Sequence, residues 1–331
     1  MNRSHRRTTL ASIVSVVLAV TLTACGSASS SSSTKSATKP AAASTPAPAA
    51  SAPAAKSGPG VGKPPVTIGD KDFTEQYILG ALYQQALAAK GYSVTLKGNV
   101  GSSEITYKAL TSGQIDMYPE YTGTLLSAIA GDNKPPQSAA QTYRLAKGFV
   151  QKHGLTLLAQ TPFYNSDALA ATKPYASKNH LSTVEDLKRL GHSLKLGGAP
   201  EFATRFAGLV GLKREYAINP TFVPLAIGIT YKAIDTAQVD VFDAFTTDAA
   251  LTSGKYVLLS DPKKVFGFQN VAPVVRSSVL SAEGPAFAQT IDKVSSLLTL
   301  SAIQKMNAAV SLEQQSPTSV AHEFLVANKL A

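Results

Sequence analysis

From Val66 onward the sequence predicts an α/β protein of two similar lobes, each a mainly parallel sheet with helices on both faces. Two observations predict this. Short β-branched runs alternate with amphipathic stretches along the whole region. In addition, the eighteen-residue segment YKALTSGQIDMYPEYTGT at 107–124 returns as YKAIDTAQVDVFDAFTTD at 231–248, a constant offset of 124 residues. The two copies share Tyr, Lys, Ala, Gln, Asp and Thr, and an aromatic recurs as Tyr121 and Phe245.

The elements follow in order. PVTIGD is a strand, and FTEQYILGALYQQALAAKG is a helix with Asp72 and Glu75 as a capping box and Gly91 as its stop. YSVTLKGNV is the next strand, and SSEITYKALTSG a helix opened by serines. QIDMYP is a strand that Pro119 should end, followed by GTLLSAIAG and a longer helix near AAQTYRLAKGFVQKHG. The second half repeats the plan with TVEDLKRL (helix), LKLGGAP (strand), TRFAGLVGLKREY (helix) and TFVPL (strand), then the echoed helix and strand. Ligands of α/β sheets bind at the carboxyl ends of strands, so the repeat is expected to present Tyr121 and Phe245 across one cleft. The plainer reading makes both rings core and the echo a mark of duplication alone.

The region before Val66 carries no fold. Residues 1–9 hold three arginines and no acid, residues 10–22 are apolar, and LTAC ends at Cys25, the only cysteine. This pattern predicts a secretory signal over residues 1–25 closed by a lipobox, with a diacylated Cys25 holding the mature chain on the outer face of the cytoplasmic membrane. Residues 26–65 are mostly Ser, Ala, Pro, Lys, Gly and Thr and predict a tether. GPGVGK at 58–63 is one residue short of a phosphate loop, and Pro64 replaces its hydroxyl residue.

The formal charge of +10 is concentrated upstream, and residues 66–331 hold 24 bases against 21 acids. No basic cluster interleaved with aromatics appears there, which argues against nucleic-acid binding. Nucleophile elbows, HExxH and paired cysteines are absent, and His153, His180, His192 and His322 are scattered among polar residues. Nothing points to catalysis, a metal or a cofactor, and Glu120 and Asp248 are not singled out as an acid pair by their spacing. The candidate ligand contacts are at strand-to-helix junctions. Lys71 either reaches into the cleft beside free backbone N–H groups or is a solvated loop lysine. Arg205 offers a guanidinium suited to bidentate capture of a carboxylate, and Thr124 either caps its own helix or directs a hydroxyl and helix N-terminus at an anion.

At IGDKDFTEQ, GSSEITYKAL, QIDMYPEYTGT, APEF, DAFTTD and NVAPVVR the chain resembles the substrate-binding lipoproteins of osmoprotectant ABC importers, which bind glycine betaine, choline or carnitine. The resemblance implies a type II periplasmic-binding-protein fold: lobe one at 66–168 and 271–331, lobe two at 169–270, and a hinge of two crossover strands at DALAAT and NVAPVVR. It implies a monomeric receptor that hands a solute to a permease driven by an ATPase, with no reaction of its own. A secreted hydrolase or an adhesin is the competing class. By motif, Tyr121 and Phe245 match two places of the aromatic box that surrounds a quaternary ammonium, and Thr124, Lys71 and Arg205 match the side that holds a carboxylate. Asp167 and Gln269 stand where relatives carry two further rings. That departure predicts weak glycine betaine binding, improved in an Asp167→Tyr, Gln269→Tyr double variant. It makes an amine, a polyol or a polar aromatic compound the rival to a compatible solute of the betaine or choline type.

Overall fold

A computed structural model describes residues 57–331 apart from 133 and 135. The expected signal, Cys25 and the tether up to residue 56 lie outside the described residues. The remaining tether stretch is not free of the fold. Gly60 is buried and its N–H donates to the Lys90 carbonyl at 3.0 Å. Gly91, the expected helix stop, has φ +85°, and a Cβ there would lie 3.0 Å from Val61 and 3.1 Å from the Ser57 carbonyl. It therefore ends the helix and also makes room for this incoming segment.

The strands are β1 (Val66–Gly69), β2 (Val94–Lys97), β3 (Met117–Tyr121), β4 (Leu155–Leu157), β5 (Asp167–Thr172), β6 (Lys195–Gly198), β7 (Thr221–Pro224), β8 (Val241–Phe245), β9 (Tyr256–Leu258) and β10 (Val271–Arg276). Among the described residues they form two five-stranded sheets, ordered β2-β1-β3-β10-β4 and β7-β6-β8-β5-β9. Within each sheet one strand runs against its neighbours: β10 is antiparallel to β3 and β4, and β5 to β8 and β9. These are the two segments read as crossovers. The sheets have the same plan, and the echoed strands β3 and β8 hold the same central place in each.

Each sheet is buried on both faces. The longest helix, α1 (Thr74–Ala89), packs Ile78, Leu79, Leu82 and Leu87 into the larger core beneath the first sheet. These residues recur at helical spacing, and each fully buried aliphatic side chain contributes about 1.5–3 kcal/mol. The C-terminal helices Pro285–Leu297, Leu300–Ser311 and Pro317–Ala327 share that core.

Two local expectations are corrected. Phe73 is the N-cap of α1 with no side-chain cap, so Asp72 and Glu75 form no capping box; the Glu75 carboxylate is committed elsewhere. Nor does Pro119 end its strand. It lies within β3 directly opposite Pro273 of β10. Two prolines face to face occupy a pair that exchanges no hydrogen bonds, so neither lacks an N–H that its partner needs. A complete capping box does occur where none was read: Thr183 and Asp186 cap each other at the 3₁₀ segment Val184–Ser193. That segment is TVEDLKRL, expected as an ordinary helix.

Candidate ligand cleft

Lys71, Tyr121, Thr124, Asp167, Arg205, Phe245 and Gln269 all line one cleft, at the carboxyl ends of strands from both sheets. Tyr121 and Phe245 are the last residues of β3 and β8, so the recurring aromatic ends a strand rather than lying in the loop beyond it. They do not face each other across open space. Phe73 stands between them, with ring centroids 6.2 Å from Tyr121 and 6.0 Å from Phe245 and interplanar angles of 22° and 8°. The sequence offered a signal for this ring: Phe73 lies two residues past Lys71 at the same strand-to-helix junction.

Lys71 is buried and already satisfied. Its Nζ donates to Glu120 Oε1 at 2.6 Å and to Ser103 Oγ at 3.0 Å, and it rests 4.4 Å from the centroid of Tyr121 and 5.6 Å from that of Phe73. Burial pulls this ammonium below its ordinary range, against the opposing charge and hydrogen bond of Glu120. Glu120 Oε1 also accepts the Tyr121 N–H at 2.7 Å. The cation thus covers an aromatic face that a ligand cation would otherwise use.

Arg205 is likewise engaged, but across the cleft. Its Nε and Nη2 donate to Glu104 Oε1 and Oε2 at 3.0 and 2.8 Å. Glu104 belongs to the helix α2 (Ser103–Thr111) beside the first sheet, whereas Arg205 follows β6 in the second, so the bidentate pair is a latch between the lobes. Burial pushes the Glu104 carboxyl up, but Arg205, the Ser102 hydroxyl and its own backbone N–H together bring it down to about 2.

Thr124 stands at the N-cap position of Leu125–Ile129, but its side chain does not cap that segment. Its N–H and hydroxyl donate to Gln269 Oε1 at 2.9 and 3.3 Å, so the amide oxygen of Gln269 takes the position considered for an anion. The Gln269 side chain is itself buried against Gly123.

Four carboxylates lining the cleft, Asp72, Asp167, Glu201 and Asp243, have no such side-chain partner, and two of them are neighbours on one sheet. Asp167, at the start of β5, is half-buried. Burial raises its carboxyl to about 6, opposed by Arg205, its own backbone N–H and Lys71. Asp243, which the sequence reading missed, lines the same cleft from β8, and its Oδ1 has no hydrogen-bond donor. Burial raises it well above the usual carboxylate range, and the charge of Asp167 adds to that. An acid inside the apolar run VFDAF was the available signal.

Glu75 holds the back of the cleft together. Its Oε1 accepts from the Tyr121 hydroxyl at 2.8 Å and Asn165 Nδ2 at 2.9 Å, and its Oε2 from the Thr247 hydroxyl at 2.6 Å and Asn307 Nδ2 at 2.9 Å. Asp248 stands at the N-cap of Ala249–Ser253, yet its Oδ2 accepts from Tyr231 and from the Phe245 N–H rather than capping that segment.

Residues 64–327 match the family described as the substrate-binding domain of the ABC-type glycine betaine transport system. The chain belongs to this family. Among its relatives, the glycine-betaine-binding protein of Pseudomonas aeruginosa is 36% identical over 270 residues, covering 78% of this chain and 86% of that one. The glycine betaine-binding protein YehZ of Escherichia coli is 32% identical over 274 residues, covering 79% and 90%. A solved glycine betaine/carnitine/choline ABC transporter structure matches 80% of this chain and 99% of its own with a TM-score of 0.65 at 28% identity. As a member of the ABC-type glycine betaine family, the chain is a solute-binding protein with the type II periplasmic-binding-protein fold. Among the described residues, no helix is long and apolar enough to cross a membrane, and no group of His, Cys, Asp and Glu is placed to hold a metal ion.

Proposed function

We propose that this chain is a receptor anchored through a lipid on Cys25 at the outer face of the cytoplasmic membrane. It works as a monomer, captures a small cationic or zwitterionic solute in the described cleft, and delivers it to a permease powered by an ATPase subunit. It carries out no reaction on the solute. One observation carries the reading: residues from both repeats, Tyr121 and Phe245 among them, converge on a single cleft at the strand ends of two sheets joined by two crossover strands. Solutes of the glycine betaine, choline and carnitine type are the first to test, because relatives are named for binding glycine betaine and carnitine.

Calorimetry of the full-length chain against glycine betaine, choline, carnitine and unmethylated amines tests it. Whichever solute binds should lose affinity in Tyr121→Ala and in Phe245→Ala, which both remodel the cleft wall, by about two- to thirtyfold where a ring face holds its cation. A binding solute unaffected by either change would mean that the ligand lies elsewhere.

A further inference from the structure

The cleft's two cations are committed within the protein, and its two central carboxylates are not. Lys71 is held by Glu120 and Ser103, and Arg205 by both oxygens of Glu104. No side chain donates a hydrogen bond to Asp167, and Asp243 Oδ1 has no donor although the residue is only 5% exposed. The two acids are diagonal neighbours across the β5–β8 ladder, since Asp167 pairs with Phe245 and Leu169 with Asp243. Such neighbours lie about 7–8 Å apart on one face of a sheet, a span that a single donor group can bridge.

A third acceptor belongs to the same set. Asn165 lines the cleft, and its Nδ2 must point at Glu75 because a carboxylate only accepts. Its Oδ1 is therefore turned the other way, and it too has no donor. The ring faces, in contrast, are largely used: Phe73 fills the space between Tyr121 and Phe245, and the Lys71 ammonium lies over Tyr121.

From this arrangement, and resting on the receptor reading above, we infer that the cleft selects a protonated primary or secondary ammonium, whose N–H groups donate to Asp167 and Asp243, over a quaternary ammonium. A trimethylammonium group has no N–H to give these oxygens, and its methyl groups would leave them desolvated and unpaired. The N–H groups of a primary ammonium satisfy both acids and bring a positive charge between two negative ones. The groups facing Asp167 are Arg205, Lys71, Glu201 and Asp243; those facing Asp243 are Asp167, Asp248, Arg205 and Glu201. The ligand's charge acts on this set, and protonation of the two acids removes the attraction.

The test is the methylation series ethanolamine, N-methylethanolamine, N,N-dimethylethanolamine and choline, titrated calorimetrically into the full-length chain, with glycine betaine alongside. Affinity should fall with each methyl group, with choline at least tenfold weaker than ethanolamine. Ethanolamine binding should weaken at least tenfold between pH 7.5 and pH 5, where its own ammonium stays charged. Asp243→Asn should abolish the preference for ethanolamine, with circular dichroism confirming that the variant is folded. Choline or betaine binding tighter than ethanolamine, with dependence on Tyr121, would overturn the inference and leave the receptor reading intact. PH-independent ethanolamine binding, or a preference retained in Asp243→Asn, would also overturn it. If no solute binds at all, both readings fall.

Discussion

Replacing Glu75 by Gln keeps the shape of the side chain and changes only what it offers. The carboxylate takes four hydrogen bonds, from Tyr121, Asn165, Thr247 and Asn307, all buried or nearly so. An amide keeps one accepting oxygen, so one pair of donors stays served; in the other pair the hydroxyl can turn to accept from the NH₂ group, and only the Asn Nδ2 loses its acceptor. Hydrogen bonds to a charged acceptor contribute about 1.5–3 kcal/mol each, so losing one outright costs about 1.5–3 kcal/mol. For a protein of this size each kcal/mol moves the midpoint of thermal unfolding by about 2 °C, so scanning calorimetry should find a Tm lower by about 3–6 °C. The loss should couple to one partner in particular. In a double-mutant cycle, Asn307→Leu should be much less harmful on the Glu75→Gln background than on the parent. A Glu75→Gln protein melting within about 2 °C of the parent would refute the reasoning, because the four bonds would then contribute no net stability.

Other expectations follow from the same geometry. The Arg205–Glu104 latch should survive acidification to pH 4: the folded carboxyl, at about 2, is depressed, so its contribution is complete above the unfolded value near 4.5 and is lost only as pH falls through about 2. Glu104 is 43% exposed, so the pair contributes at most about 1 kcal/mol, and Arg205→Ala should widen the scattering radius more than it lowers Tm. Asp243 has a raised folded pKa, so its contribution to stability is complete below its unfolded pKa and is lost as pH rises through the folded one; Asp243→Asn should therefore raise the ligand-free Tm more at pH 7.5 than at pH 5. Gly123→Ala places a Cβ 2.8 Å from the Gln269 side chain and from the Phe268 carbonyl, so Gln269 must move off Thr124, at a cost of about 1–3 kcal/mol read by denaturant unfolding. Cys25→Ser should release the protein from membrane fractions with its melting unchanged.

The alternation of strands and helices was legible because each element carries its own period, and the repeat was legible because β3 and β8 face the same packing problem in two sheets of one plan. The seven cleft residues were found from junctions and motifs, which identify places along the chain. What each side chain does there was not legible. Lys71 and Arg205 were read as free cations, yet their partners Glu120 and Glu104 lie 49 and 101 residues away. Glu75 resembled a cap because its local spacing suits one, while its actual partners reach as far as Asn307. Pro119 resembled a strand end because the rule concerns a missing N–H, and only the opposing Pro273 shows that no N–H is needed there. Short-range patterns fix elements; charge partners and ladder register are settled by chain segments far apart in sequence.

Gln269 sits in the second of the two passages between the lobes, two residues before β10. The passages are themselves tied together, since the Asn165 N–H donates to the Gln269 carbonyl at 3.0 Å and Tyr164 bridges Asn270. Flanking them, β5 and β10 are each held between two ladders, which on the proposed receptor reading makes the few residues around this crossing the place to bend. Gln269 also lines the cleft, so on that reading the fulcrum is part of the cleft wall. On the same reading, a solute that reaches the Gln269 amide pulls at the crossing itself with almost no lever arm, so the torque that closes the lobes has to come from contacts farther from that crossing.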